Sequence, residues 1–162
     1  MPIHSKIQHR EKLAEILSPL REKGKILVFT NGCFDLLHVG HVRYLRAARK
    51  QGNLLVLGLN SDASVRALKG EKRPLIPQEQ RAEVLAALAC VDYISFFDEK
   101  DPLRLIQTVK PHVLVKGADW AEADIIGGDF VKSLGGRVER ISVVPGASTS
   151  GIIERILERY QS

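Results

Sequence analysis

Cysteine is nearly absent from this chain: Cys33 and Cys90 are its only thiols, with no Cys-x-x-Cys pair and no histidine set at zinc spacing beside them. That removes a disulfide framework and a structural zinc from consideration, and two reduced thiols are expected. Long apolar runs are absent too. Stretches such as Leu54 to Leu57 fall far short of the roughly 20 residues a membrane span needs. No apolar segment follows the polar residues His4, Lys6, His9, Arg10, Glu11 and Lys12, which argues against a secretory signal and for a cytoplasmic location. Neither Gly-x-x-x-x-Gly-Lys-Ser/Thr nor Gly-x-Gly-x-x-Gly occurs, so P-loop hydrolysis and dinucleotide oxidoreduction lose their usual support. Internal repeats, low-complexity tracts and linkers are missing as well.

What is present describes an ordinary folded domain: 162 residues, 44% hydrophobic and 27% charged, enough to close one core. The formal charge of +5 favours polyanionic partners, without separating nucleic acid from a triphosphate or a sugar phosphate. Leu13, Ile16, Leu17 and Leu20 recur at helical spacing, and Gly24 stops that helix. Short apolar runs at Ile26 to Phe29, Leu54 to Leu59, Tyr93 to Phe97, Val113 to Val115 and Val138 to Val144 are continuous rather than alternating, as in strands buried on both faces. Helical stretches lie between them: Val39 to Lys50, Pro77 to Leu88, Pro102 to Val109, Asp129 to Leu134 and Thr149 to Tyr160. Asp101-Pro102 sets a capping carboxylate before a proline at the first helical position, and Pro77 marks a second start.

The alternation predicts an α/β fold, a single Rossmann-like, doubly wound domain with a parallel five-stranded sheet flanked by helices. Residues 1–24 form an N-terminal helical extension and 25–162 the main domain. Ligands in such folds bind beyond the carboxyl ends of the strands. Two long irregular stretches, Asn60 to Ile76 and Gly117 to Gly128, are expected to be functional loops.

The first strand leads into Thr30-Asn31-Gly32-Cys33-Phe34-Asp35-Leu36-Leu37-His38-Val39-Gly40-His41 and then a helix. Gly32 permits a tight turn, and the free N–H groups of a helix starting near His38 favour an anion, phosphate above all. His38 and His41 are three apart and share one side of the first helical turn, while Gly40 between them removes a side chain that would block a phosphate. Ser148, Thr149 and Ser150 precede an amphipathic helix carrying Ile152, Ile153, Ile156 and Leu157, and offer a second capped N-terminus. After the fourth strand, Gly117 allows close approach of a base, and the single Trp120 either stacks on it or anchors the loop.

On these residues the chain resembles the cytidylyltransferase-like nucleotidyltransferase superfamily, whose signature is His-x-Gly-His after the first strand. The likeness spans about residues 25 to 158. Within the superfamily, Leu59-Asn60-Ser61-Asp62-Ala63-Ser64-Val65, Arg81 with Val91-Asp92, Val115-Lys116-Gly117-Ala118-Asp119-Trp120 and Gly146-Ala147-Ser148-Thr149-Ser150 are similar to the D-glycero-β-D-manno-heptose 1-phosphate adenylyltransferases. In many bacteria that activity is fused behind a sugar kinase domain, and this chain resembles the stand-alone form.

The resemblance implies transfer of AMP from ATP to the heptose 1-phosphate, giving ADP-heptose and pyrophosphate for lipopolysaccharide core synthesis. It implies catalytic roles for His38, His41, Lys69 and Lys72, the lysines matching a pair that reaches phosphates in related cytidylyltransferases. It implies nucleotide binding by Thr30, Asn31, Gly32, Phe34, Asp35, Gly40, Lys116, Gly117, Asp119, Trp120, Ser148, Thr149 and Ser150. Substrate binding falls to Asn60, Asp62, Arg73 and Arg81. Mg²⁺ is expected to arrive with ATP; Asp35 and Asp119 are candidates to help hold it, but no dedicated protein cage is expected. Glycerol phosphate cytidylyltransferases carry an arginine and a glutamate where this chain has Val144-Pro145-Gly146-Ala147, which favours adenine. The alternative keeps the reaction and changes the pair, to CTP or to another acceptor such as glycerol 3-phosphate. A homodimer is the assembly the superfamily suggests. Arg43, Arg46 and Arg49 read as a solvated helix face, and with no recognisable nucleic-acid motif neither nucleic acid nor membrane is expected as a partner.

Overall fold

The computed structural model describes residues 2–161. Five parallel strands, β1 (Leu27–Gly32), β2 (Leu54–Asn60), β3 (Tyr93–Phe97), β4 (Val113–Gly117) and β5 (Arg137–Ile141), lie in the order β3-β2-β1-β4-β5. Around them run α1 (Ile3–Lys6), α2 (Arg10–Glu22), α3 (Val39–Arg49), α4 (Asp62–Lys69), α5 (Gln78–Ala86), α6 (Leu103–Val109), α7 (Gly128–Ser133) and α8 (Thr149–Tyr160). The chain winds outward from β1 through β2 to β3, then returns to the other side of β1 for β4 and β5. The strand order therefore reverses between β1 and β4, where a crevice opens beyond the carboxyl ends.

Continuous apolarity has the expected cause. Val28, Leu55, Leu57 and Leu59 face one layer with Leu45, Ala48 and Leu85, while Leu27, Phe29, Val56 and Leu114 face another with Leu13, Leu17, Leu105 and Ile106. Because side chains alternate across the pleat, both layers need apolar residues, and a run without alternation results. Each fully buried leucine contributes about 1.5–3 kcal/mol relative to exposure. Leu13 and Leu17 of α2 are wholly buried in the second layer.

The structure corrects four expectations. The last apolar run is a shorter strand, Arg137–Ile141, and as the sheet edge it leaves Arg137 and Arg140 exposed rather than buried on both faces. The stretch Asn60 to Ile76 is not wholly irregular, since it contains α4, whose start is capped by the Ser61 hydroxyl accepting the N–H of Ser64. Pro77 precedes α5 rather than opening it, and α6 starts at Leu103 with the Asp101 carboxylate accepting the Leu103 N–H at 2.9 Å. The run Gly117 to Gly128 holds a 3-10 turn over Glu122–Asp124. Unforeseen from the sequence are α1 and a parallel bridge from Ile7 to Ile94, which covers the outer edge of β3.

Candidate active site

The loop from β1 to α3 lies at the crevice. Its left-handed residue is Phe34 (φ 45°), not a glycine. Gly32 is required for a different reason: a Cβ there would stand 2.7 Å from the Phe34 ring. His38 occupies the N-cap of α3 without a side-chain capping bond, so the first-turn N–H groups stay available to an anion. A Cβ on Gly40 would stand 2.9 Å from the His38 ring and 3.2 Å from Cβ of Ala147. Glycine thus lets α3 approach the loop before α8.

The imidazoles of His38 and His41 stack with centroids 3.8 Å apart, and Phe34 tilts against His41 at 5.0 Å. Burial lowers the pKa of His38 below its ordinary value. Burial first, and then the neighbouring His38, bring His41 down to about 4. Both rings are therefore neutral near pH 7. Among the described residues five buried side-chain polar atoms lack a hydrogen-bond partner, and three of them, Asn31 Oδ1, His38 Nδ1 and His41 Nδ1, cluster here. Buried polar groups are normally satisfied, so an ordered water or a ligand is the natural partner of such a cluster.

The loop is tied down from a distant segment. Asp35 is buried and accepts from the N–H groups of Leu75 and Ile76 at 2.9 Å and from Arg73 Nε at 2.5 Å. Burial pushes this carboxyl up, yet the two N–H donors and the guanidinium outweigh it and leave the pKa lowered. Arg81, almost wholly buried, donates to the carbonyls of Cys33 and Ile76 and pairs with Asp62 Oδ1 at 2.8 Å.

The cleft has two joined lobes. One, of about 440 Å³, is lined by His38, Gly40, Tyr44, Gly117, Asp119 and Ser148 among others. The other, of about 580 Å³, extends over Asn60, Arg73, Phe97, Lys100 and Asp101. Asn31, Phe34, His41, Lys69, Lys116 and Thr149 line both. Lys116 projects from the end of β4 with Nζ 5.6 Å from the centre of the Trp120 ring. Burial lowers its pKa to about 8, against an opposing pull from Asp119 and Cys33.

Most of the residues singled out in the sequence meet here: Asn31, Gly32, Phe34, Asp35, His38, Gly40, His41, Asn60, Lys69, Arg73, Lys116, Gly117, Asp119, Trp120, Ser148, Thr149 and Ser150 all line a lobe. Thr30, Asp62, Lys72 and Arg81 do not. Thr30 is wholly buried with its hydroxyl 2.8 Å from that of Tyr44, and Asp62 and Arg81 are turned onto each other. Asp35 faces the larger lobe, but its oxygens are committed to Leu75, Ile76 and Arg73, which leaves little room for a metal. Sequence reasoning missed Tyr44, although it continues the three-residue spacing of His38 and His41 along one face of α3. It also missed Phe97 and Lys100, which carry no motif, and read Asp101 as a helix cap alone.

A cytidylyltransferase-like family model matches residues 29–155. Bifunctional protein HldE of Syntrophotalea carbinolica is 60% identical over 157 residues, covering 97% of this chain and 32% of its own length. The protein of the same name from Pelobacter propionicus is 59% identical over 156 residues, with 96% and 32% covered. The chain thus spans 32% of the length of these curated relatives. Among solved structures, a lipopolysaccharide core biosynthesis protein from Thermoplasma volcanium superposes with a TM-score of 0.61 at 29% identity, over 75% of this chain and 98% of that one. Pantoate-beta-alanine ligase from Francisella tularensis shares the fold, with a TM-score of 0.64 at 15% identity over 96% and 78% of the two chains.

Proposed function

The chain belongs to the cytidylyltransferase-like family and is a nucleotidyltransferase, and from that premise we propose that it transfers AMP from ATP to D-glycero-β-D-manno-heptose 1-phosphate. An oxygen of the acceptor phosphate attacks the α-phosphorus of ATP, the bond from that phosphorus to its bridging oxygen breaks, and pyrophosphate leaves with ADP-heptose as the other product. The observation that carries the reading is the cluster of unpartnered polar atoms on Asn31, His38 and His41 at the open N-terminus of α3. With both imidazoles neutral, each has one N–H to offer as charge builds on the phosphate, and neither is used as a nucleophile. Transfer of this kind depends on positioning and electrostatics. Lys69 and Lys116, lining both lobes, neutralise the two anions that must meet. Lys72 stands three residues beyond Lys69, outside the cleft wall, and we assign it capture of phosphates at the entrance.

Mg²⁺ fits this site as an ion carried by the triphosphate. Among the described residues no group of three His, Cys, Asp or Glu side chains is placed to hold a metal, and of Asp35 and Asp119 it is exposed Asp119 whose carboxylate is left to touch it. When bound, the ion supplies neutralisation of phosphate charge. Adenine and the heptose are supported by the high identity to the HldE proteins and by Val144 to Ala147 in place of the arginine and glutamate of glycerol phosphate cytidylyltransferases.

We extend the proposal to a cytoplasmic enzyme, since ATP and sugar phosphates are held there; among the described residues no helix is long and apolar enough to cross a membrane. We extend it also to a homodimer, supported by exposed Ile156, Leu157 and Tyr160 on α8, flanked by the self-complementary charges of Glu154, Arg155, Glu158 and Arg159. Sedimentation equilibrium tests the dimer. The activity is tested by incubating the chain with ATP, Mg²⁺ and the heptose 1-phosphate and following pyrophosphate. Release that dominates over CTP and glycerol 3-phosphate pairs is expected; no release with the heptose 1-phosphate would overturn the assignment.

A further inference from the structure

Phe34 adopts a backbone conformation that disfavours any residue with a β-carbon. Its φ of 45° lies in the left-handed region, which a bulky residue occupies only where its surroundings hold it there. Both chain neighbours are held. The Cys33 carbonyl accepts from the Arg81 guanidinium, and the Asp35 carboxylate accepts from the Leu75 and Ile76 N–H groups and from Arg73. The segment 73–81 thus clamps the turn on each side of the strained residue. Strain maintained at the edge of a cleft calls for a reason in what the strained side chain places there. Phe34 leaves 7% of its surface exposed, so little of the ring remains to touch a nucleotide. Instead the ring packs on Gly32, where a Cβ would meet its edge at 2.7 Å, and on the imidazole of His41, with 5.0 Å between centroids and 58° between planes. A tilted pair of this kind is an arrangement that aromatic rings prefer.

His41 depends on such packing for its orientation. A functional imidazole is commonly fixed through hydrogen bonds at its ring nitrogens, yet Nδ1 of His41 is buried with no partner among the described residues. Apart from its contact with the Leu36 carbonyl, the ring is set by its neighbours, His38 stacked at 3.8 Å and Phe34 tilted at 5.0 Å. We propose that Phe34 is a positioning residue rather than a nucleotide contact: its strained, doubly clamped turn places the aromatic ring that orients the His41 imidazole for the transfer. This rests on the role proposed above for His41.

The test follows pyrophosphate released from ATP and the heptose 1-phosphate by Phe34→Leu, Phe34→Tyr, His41→Ala and the double variant Phe34→Leu, His41→Ala. Phe34→Leu is expected to lower kcat about tenfold, the upper range for losing an aromatic pair, and to leave KM for ATP within about twofold, since no binding contact is lost. Phe34→Tyr keeps the ring and is expected within about threefold of the wild-type rate. With His41 already alanine, Phe34→Leu is expected to have no further effect, because a positioning residue does nothing without the group it positions. NMR titration adds a readout that needs no turnover: burial and His38 hold the His41 pKa at about 4, and loss of the Phe34 ring is expected to raise it as water reaches the imidazole. The same kcat loss in the His41→Ala background, a raised KM with kcat unchanged, or an unmoved His41 titration overturns the proposal. Phe34→Met fills the space with a flexible chain and carries the same expectations if the leucine variant does not fold. Full turnover by His41→Ala removes the role of His41 and this proposal with it. No pyrophosphate from the wild type removes the heptose assignment alone, and the titration then decides.

Discussion

Two helix N-termini face the same cleft, and they are held in very different ways. That of α3 follows a wholly buried strand segment, and its approach loop is fastened by Asp35 and Arg81 to residues 73–76. That of α8 follows the exposed edge strand β5, and no residue of α8 is buried. A helix start facing the cleft thus occurs once uncapped, behind a firmly fastened loop, and once capped by Ser148 on a loosely packed arm. Under the proposed transfer, the difference assigns tasks. Donors that act on a developing charge must be preorganised, because reorganisation during the reaction raises the barrier. A group that only gathers the triphosphate can sit on an arm that settles after binding.

The sharpest way to break this comparison is to remove an imidazole. His41→Ala is expected to lower kcat by about 100- to 1000-fold, the range for loss of one preorganised donor, with little change in Tm. Steady-state kinetics and a thermal melt check it, and a tenfold or smaller loss would place the chemistry elsewhere. The support itself comes next. Asp35→Ala takes the buried carboxylate away from the Leu75 and Ile76 N–H groups and the Arg73 guanidinium, at a cost of about 3 kcal/mol in unfolding free energy, measurable by urea denaturation. Unchanged stability would mean that the loop is not fastened as described.

Lys116 lies between the two termini, and its charge gives a smaller, pH-dependent effect. In the unfolded chain its amine keeps the proton to about 10.5, whereas in the folded chain it releases it near 8. The cost of burying the cation is full below pH 8, so stability contributed here rises with pH between those values. Function runs the other way. The site loses a cation above pH 8, and kcat/KM for ATP, which reports the free enzyme, is expected to fall about tenfold there, in line with the loss of one charge-assisted contact. Lys116→Arg is expected to carry the plateau to higher pH; a profile identical in both proteins counts against the assignment. Smallest is Ser148→Ala. It removes a cap worth about 1 kcal/mol locally, and because no residue of α8 is fully buried the global Tm should scarcely move while KM for ATP rises about threefold for part of that local loss. A large drop in Tm would show that the arm is not loosely held.

Much of this was readable from the chain alone. The five strands, the helix from Val39 and the helix from Thr149 follow from apolar patterning and caps, which are local. The histidine pair was legible because three-residue spacing after a strand puts both rings on one side of a helical turn. The role of Arg81 was not. An arginine on a helix reads as a surface or ligand-binding residue until the fold shows it buried, 48 positions from the Cys33 carbonyl it holds. The bracing part played by Asp35 was hidden similarly, because its partners Arg73, Leu75 and Ile76 lie at least 38 positions away. The helix α4 was hidden because its apolar residues are few and its cap, Ser61, lies within what reads as a loop.

By itself, then, the sequence determined the alternation of strand and helix, the double-sided burial of the inner strands, and the histidine pair at the start of α3, since each depends on residues within a turn or two of one another. Only the tertiary structure decided that the cleft has two joined lobes, that Arg81 and Asp62 brace it without lining it, and that the loop into α3 is anchored from a distant segment while no residue of α8 is fully buried. Those properties arise where the strand order reverses, beside β1 and β4, and they depend on side chains brought together from strand ends tens of residues apart. No local pattern encodes such meetings, because burial and charge pairing are settled only when the sheet closes.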